Sequence, residues 1–204
     1  MTQRTLFHRA AVALLLGAVA AVSTSCGDVA RTGRSPVFLI VDRIEASAGG
    51  GDDFSSFLLS DVLTKGGVIN DNGRVEFRLA LKNPGSVTSP LGPSTLNEVT
   101  ITRYRVQYIR ADGRNTPGVD VPHAFDGGMT VTVGAQTGGS GAFLLVRHEA
   151  KAEPPLRNLR SLGGSSVFIS TIAEITFYGR DQAGNEVMAS GTISVNFADF
   201  ADPE

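Results

Sequence analysis

Residues 172–197 read IAEITFYGRDQAGNEVMASGTISVNF, and the alternation within them decides the fold. Ile175 and Phe177 share one parity of a strand running from Ile172 to Tyr178, after which Asp181, Gln182, Ala183, Gly184 and Asn185 supply a turn. The returning segment sets Val187, Ala189, Gly191, Ile193, Val195 and Phe197 on one face, with polar residues between them. Period-two alternation on both sides of a Gly- and Asn-bearing turn predicts an antiparallel hairpin with one face in a core. Beyond it, residues 199–204 form a short polar tail.

The same signal recurs upstream. Between Arg74 and Lys82, Val75, Phe77, Leu79 and Leu81 alternate with Arg74, Glu76, Arg78, Ala80 and Lys82, which predicts one buried and one wet face. Asn70, Asp71, Asn72 and Gly73 read as the turn that introduces this strand. From Val99 to Tyr108 the apolar phase slips, because Val99 and Ile101 share one parity while Tyr104, Val106 and Tyr108 share the other. One extra residue near Thr102 or Arg103 reconciles the two halves, and that is a β-bulge.

Weaker segments complete the count. Val37 to Val41 reads as a short strand buried on both faces, and Phe54 to Val62 as a loop holding a short strand. Asp112 and Gly113 suggest a hairpin turn, and Val119 with Val121 a brief segment closed by Pro122. Met129, Val131 and Val133 predict one strand and Phe143 to Val146 another, joined by a turn at Gly138 to Gly141. Pro154 and Pro155 precede Leu156, Leu159 and Leu162, a spacing of three that predicts one short connecting helix. The expectation is an all-β antiparallel sandwich of about 7–9 strands over residues 37–198.

The Asp181, Gly184 and Asn185 turn, set between an aromatic-bearing strand and a long last strand, resembles the closing hairpin of immunoglobulin-like and fibronectin-type-III-like domains of exported bacterial proteins. That resemblance implies an immunoglobulin-like β-sandwich. It covers the last thirty or so residues specifically and the remainder only in architecture. The chain has one Cys and no Trp, so it lacks the disulfide and core tryptophan of antibody domains.

The amino-terminal segment decides location. Arg4 and Arg9 precede an apolar run from Ala10 to Val22 that Ser23, Thr24 and Ser25 close, the layout of a secretory signal peptide over residues 1–25. A membrane-spanning helix needs about 20 apolar residues, more than this run holds. Cys26, the chain's single cysteine, follows at once, so no intrachain disulfide can form. The arrangement resembles the lipobox of bacterial lipoproteins, with Ser23 standing where that motif usually carries Leu. The resemblance implies cleavage before Cys26, a diacylglycerol on its sulfur and acylation of its amine. Acyl chains bury about 0.8 kcal/mol per methylene, which gives a durable membrane anchor.

Gly27, in place of the Asp that marks inner-membrane retention, implies the outer membrane, on its periplasmic or surface face. The alternative is ordinary signal cleavage, which gives a soluble secreted protein with a free thiol. Exporting an unpaired reactive thiol is the less economical outcome. The chain as a whole also resembles uncharacterised bacterial lipoproteins, a likeness that implies location and no chemistry. Residues 26–36, with Gly27, Arg31, Thr32, Gly33, Arg34 and Pro36, then form a flexible tether.

Charge and chemistry exclude much. Loss of residues 1–25 leaves 16 basic against 20 acidic residues, a formal net charge of −4. Nucleic-acid binding needs clustered Lys and Arg in a basic domain, and this chain scatters them. Only His123 and His148 follow the signal segment, and no Gly-x-Ser-x-Gly motif is present, so the parts of a serine hydrolase are missing and no enzymatic activity is expected. No Cys and His pair has zinc spacing. Asp52 with Asp53, Asn70 with Asp71, and Asp112 with Asp120 are oxygen-rich loop positions suited to calcium, although Asp and Asn in turns usually serve the backbone.

No cofactor, metal or small-molecule substrate is therefore assigned. The remaining candidate is Arg103, Arg105 and Gln107 on the polar parity of one strand, a surface for an acidic partner or simply a solvated sheet face. The reading is a lipid-anchored cell-envelope protein that serves as a non-catalytic interaction or structural module, with the membrane and an envelope protein as partners. The alternative is an accessory or subunit of an envelope assembly or of a carbohydrate-active enzyme system, where paired carboxylates would converge in a cleft.

Overall fold

The computed structural model describes residues 33–162 and 167–200, so the signal segment, Cys26, most of the tether and the last four residues of the tail lie outside the described residues. The described residues form an all-β body. Its ten strands are β1 (Val37–Ser47), β2 (Phe57–Asp61), β3 (Asp71–Leu81), β4 (Gly85–Ser86), β5 (Ser89–Pro90), β6 (Val99–Ile109), β7 (Phe125–Val133), β8 (Gly139–Val146), β9 (Ile169–Asp181) and β10 (Glu186–Ala198). One α-helix, α1 (His148–Ala152), lies between β8 and β9.

Eight strands build two sheets, in the orders β1-β3-β8 and β2-β10-β9-β6-β7, while β4 and β5 pair only with each other. The chain crosses between these two sheets after β1, β2, β3, β7 and β8, and stays within one sheet from β6 to β7 and from β9 to β10. The three-stranded sheet packs on the five-stranded one as a β-sandwich, with Phe77 of β3 meeting Phe177 of β9 between them. One pairing departs from the antiparallel expectation, because β2 runs parallel to β10, from Ser194 opposite Phe57 to Ala198 opposite Asp61.

The closing hairpin forms as its alternation predicts. β9 and β10 pair from Ile169 opposite Phe197 to Arg180 opposite Glu186. Val187, Ile193, Val195 and Phe197 are buried. At the turn the Asp181 carboxylate accepts hydrogen bonds from the Ala183 and Asn185 backbone N–H groups and the Asn185 side chain. Burial alone would raise the Asp181 pKa, yet these donors, with the Ser35 hydroxyl, outweigh it and hold the carboxyl below its usual range.

The bulge in β6 is also present, with register slipping between Ile101 and Arg103 against both β7 and β9. Gly179 lies opposite, and a Cβ there would stand 2.5 Å from the Thr100 carbonyl oxygen, so the slip requires a residue without a side chain.

Several expectations need correction. β1 is an edge strand instead of one buried on both faces, since Phe38 points outward at 54% exposure, with the Lys82 ammonium 5.3 Å from its ring centroid. Asp71, Asn72 and Gly73 belong to β3 instead of a turn. The cause is tertiary: Asp71 is held by buried partners, and Gly73 faces Phe143 on β8, whose ring would lie 2.4 Å from a Cβ. The turn between β7 and β8 spans Gly134 to Gly138, and Gly139 already pairs in β8.

The Asp112–Gly113 turn opens a connection over residues 110–124 instead of closing a tight hairpin, and Val121 makes only an isolated bridge to Pro117. The expected helix starts before the prolines, as α1, and resumes as a 3-10 helix, Leu156–Leu162, whose three residues per turn bury Leu156 and Leu159 together. The side chain of Leu162 lies outside the described residues.

Aromatic rings fill the space between the sheets. Phe177 meets Phe77 edge-on at 4.9 Å and Phe143 at 5.6 Å, and Tyr104 meets Phe143 at 5.3 Å. Edge-to-face pairs of this kind add about 0.5–1.5 kcal/mol each beyond area burial. Tyr108 packs on Phe197 at 5.6 Å and donates its hydroxyl to the Leu145 carbonyl at 2.6 Å, joining the two sheets.

Candidate functional site

The bulge turns Arg103, Arg105 and Gln107 outward together, because it restores the parity that buries Tyr104, Val106 and Tyr108. The structure thus places all three candidate residues on the outer face of the five-stranded sheet. Arg103 Nη1 donates to Asp126 Oδ1 and Arg105 Nη1 to Asp126 Oδ2, each at 2.7 Å. Asp126 comes from β7, opposite Arg105 in register. Gln107 stands further along, opposite Glu174 of β9.

Arg103 has a second partner. Its guanidinium carbon lies 3.9 Å from the centroid of the Tyr178 ring, a cation–π stack that fixes the plane of the group. Beside this stack is a depression of about 340 Å³ lined by Thr102, Arg103, Tyr178, Arg180, Glu186 and Met188, among others. Met188 is 57% exposed within it, and Arg180 reaches Glu186 at 3.5 Å. Gly179, opposite Ile101 where the register slips, lines it as well. Chemically, the face offers an oriented guanidinium, an aromatic ring and a flexible thioether, which suits contact with another surface.

A second cluster is wholly internal. Asp71, at the first position of β3, accepts from Lys151 Nζ at 2.8 Å, from Ser60 Oγ at 2.6 Å and from the Gly49 N–H at 2.8 Å. Lys151 is on α1, and Arg160 Nη2 caps the Lys151 carbonyl at 2.6 Å. Sequence gave no sign of this pair, since Asp71 sits in an Asn-, Asp- and Gly-rich run and Lys151 lies 80 residues away.

The remaining candidates stay apart. His148 bonds Asn70 Oδ1 through its backbone N–H and its ring nitrogen, and His123 lies exposed beside Gly118. Of the oxygens considered for calcium, Asn70 is taken by His148, Asp71 by Lys151, Asp112 by Arg110 and Arg114, and Asp120 by the Thr116 N–H, while Asp52 and Asp53 lie exposed. Hydrogen bonding from the Arg110 guanidinium, more than any other cause, holds the Asp112 carboxyl far below the usual carboxylate range. Among the described residues no three His, Cys, Asp or Glu side chains gather as metal ligands. Among them, too, no helix is long and apolar enough to cross a membrane.

Comparison with known proteins finds no family model that matches the chain and no curated protein that matches it significantly.

Proposed function

We propose that this chain is a lipid-anchored cell-envelope protein, held by acyl chains on Cys26, whose sandwich binds another envelope protein through the outer face of the five-stranded sheet. The single observation that carries the binding half is the Arg103–Tyr178 stack beside the depression at the β6 bulge. Stacking and ion pairing hold the guanidinium before any partner arrives, so little side-chain entropy remains to be lost on contact. Tyr, Arg and Met, which meet here, are the residue types enriched at the centres of interfaces. The anchor half is supported by the signal-like segment ending at Cys26.

In-cell crosslinking tests the binding half. A partner crosslinked to the native chain is expected to be lost in Arg103→Glu and retained in Arg78→Glu, whose side chain belongs to the outer face of the other sheet and pairs with Asp42. Equal crosslinking in both variants would remove this face from the account.

A further inference from the structure

Three side chains of the β3–β6 connection are far more exposed than aliphatic residues usually are: Val87 at 101%, Leu96 at 78% and Leu91 at 59%. Val87 sits at the tip of the β4–β5 pair, where Ser86 opposes Ser89 and Gly85 opposes Pro90. The hairpin is fixed at its base by the Leu91 N–H bond to the Pro84 carbonyl at 2.8 Å. From Asn83 to Asn97 the connection carries no charged residue. A loop of the same length at the opposite end, residues 110–124, carries Arg110, Asp112, Arg114 and Asp120. Scattered exposed aliphatics need no explanation, but three on one uncharged, structured loop do.

The position of this loop supplies the occupant. The Lys82 N–H bonds the Pro36 carbonyl at 2.9 Å, so the loop leaves the sheet beside the residues through which the tether enters. Arg34 reaches the β9–β10 turn, lining a hollow with Gly184 and Asn185, which puts that turn at the same end. Cys26 precedes Gly33 by seven residues, a span of at most about 25 Å when extended. The thirteen-residue β9 is longer, about 40 Å. An anchor on Cys26 therefore keeps this end, and not the end bearing residues 110–124, next to the lipid.

We infer that Val87, Leu91 and Leu96 dock into the interfacial region of the membrane that holds the anchor, setting the sandwich end-on and leaving the Arg103 face accessible from the side. The inference rests on the anchor reading for its setting. Aliphatic tips partition weakly by themselves, and tethering raises their effective concentration at the bilayer enough to hold them there.

The chain contains no tryptophan, so Val87→Trp and Val119→Trp each install a single reporter, one on each of the two loops. Val119 is a matched control, an aliphatic side chain at 67% exposure. The chain from Cys26 onward is coupled through the Cys26 thiol to a maleimide-headed phospholipid. The vesicles are phosphatidylethanolamine and phosphatidylglycerol containing acyl-brominated lipid. The expected result is blue-shifted emission and severalfold stronger bromine quenching for Val87→Trp than for Val119→Trp, with the difference reduced by adding Leu91→Ser and Leu96→Ser. Equal, water-like emission from the two reporters overturns the inference. Because coupling supplies the anchor chemically, that failure is separate from any failure of native acylation, which the mass of the amino terminus reads.

Discussion

Lys151 Nζ stands 2.8 Å from Asp71 Oδ1 with neither side chain exposed at all, which bolts α1 to the first residue of β3. A buried pair of this kind is a weak argument for added stability, because both charges lost their water. It is a strong argument for fragility, since either charge left alone has nowhere to go.

Lys151→Met is accordingly expected to lower the unfolding free energy by about 3–5 kcal/mol in urea titrations. Adding Asp71→Leu recovers only part of this. The Gly49 N–H and the Ser60 hydroxyl, which also bond Asp71, would then lose their acceptor. Full recovery in the double variant would mean that these two bonds contribute nothing.

The Asp126 pairs make the opposite prediction. Arg103, Arg105 and Asp126 are each 42–50% exposed, where ion pairs contribute about 0–1 kcal/mol. Asp126→Ala should leave the melting curve nearly unmoved. A loss comparable to that of Lys151→Met would show that the face serves folding and not contact.

Tyr108 links the sheets and titrates in a predictable direction. Burial, reinforced by the nearby Asp71 charge, pushes its hydroxyl well above the ordinary value of 10.0. A raised folded pKa contributes stability that is complete below the unfolded value and is lost as pH climbs past it, so stability should fall above pH about 10. Tyr108→Phe should lower stability by about 1–3 kcal/mol at neutral pH, because the Leu145 carbonyl stays buried without its donor. It should also flatten the alkaline limb in denaturation curves taken across pH.

Asp181 gives the acid-side counterpart. With its folded pKa held down, the stability it contributes is present above the unfolded value of about 4 and is lost as pH falls through the folded one. Asp181→Ala is expected to remove that acid dependence and to speed amide exchange at Asn185 and Ala183, whose N–H groups it accepts. Unchanged exchange would show that the turn closes without the carboxylate.

Legibility in the sequence followed the range of the forces involved. The bulge was readable because parity on either side of Thr102 is a local property, and the same parity placed Arg103, Arg105 and Gln107 on one face. The closing turn was readable because Asp181 bonds residues within four positions of itself. Asp71 reads as a turn residue for the converse reason: its partner is 80 residues away, and locally it resembles any Asp in a turn. Gly73 reads as a turn residue likewise, whereas its lack of a side chain answers to the Phe143 ring and not to a backbone turn. Asp126 and Tyr178 join the candidate site only once β7, β6 and β9 are in register, and periodicity within single strands carries no register between them.

The central claim is that acyl chains on Cys26 tether a contact-making sandwich. The most direct measurement is the intact mass of the mature protein, taken with membrane fractionation of cells making the native chain or Cys26→Ser. The account predicts a native amino terminus at Cys26 carrying the added mass of a diacylglycerol and an acyl group, found with membranes, and a substituted chain released from them. A native chain that is soluble, with an unmodified thiol, would contradict it.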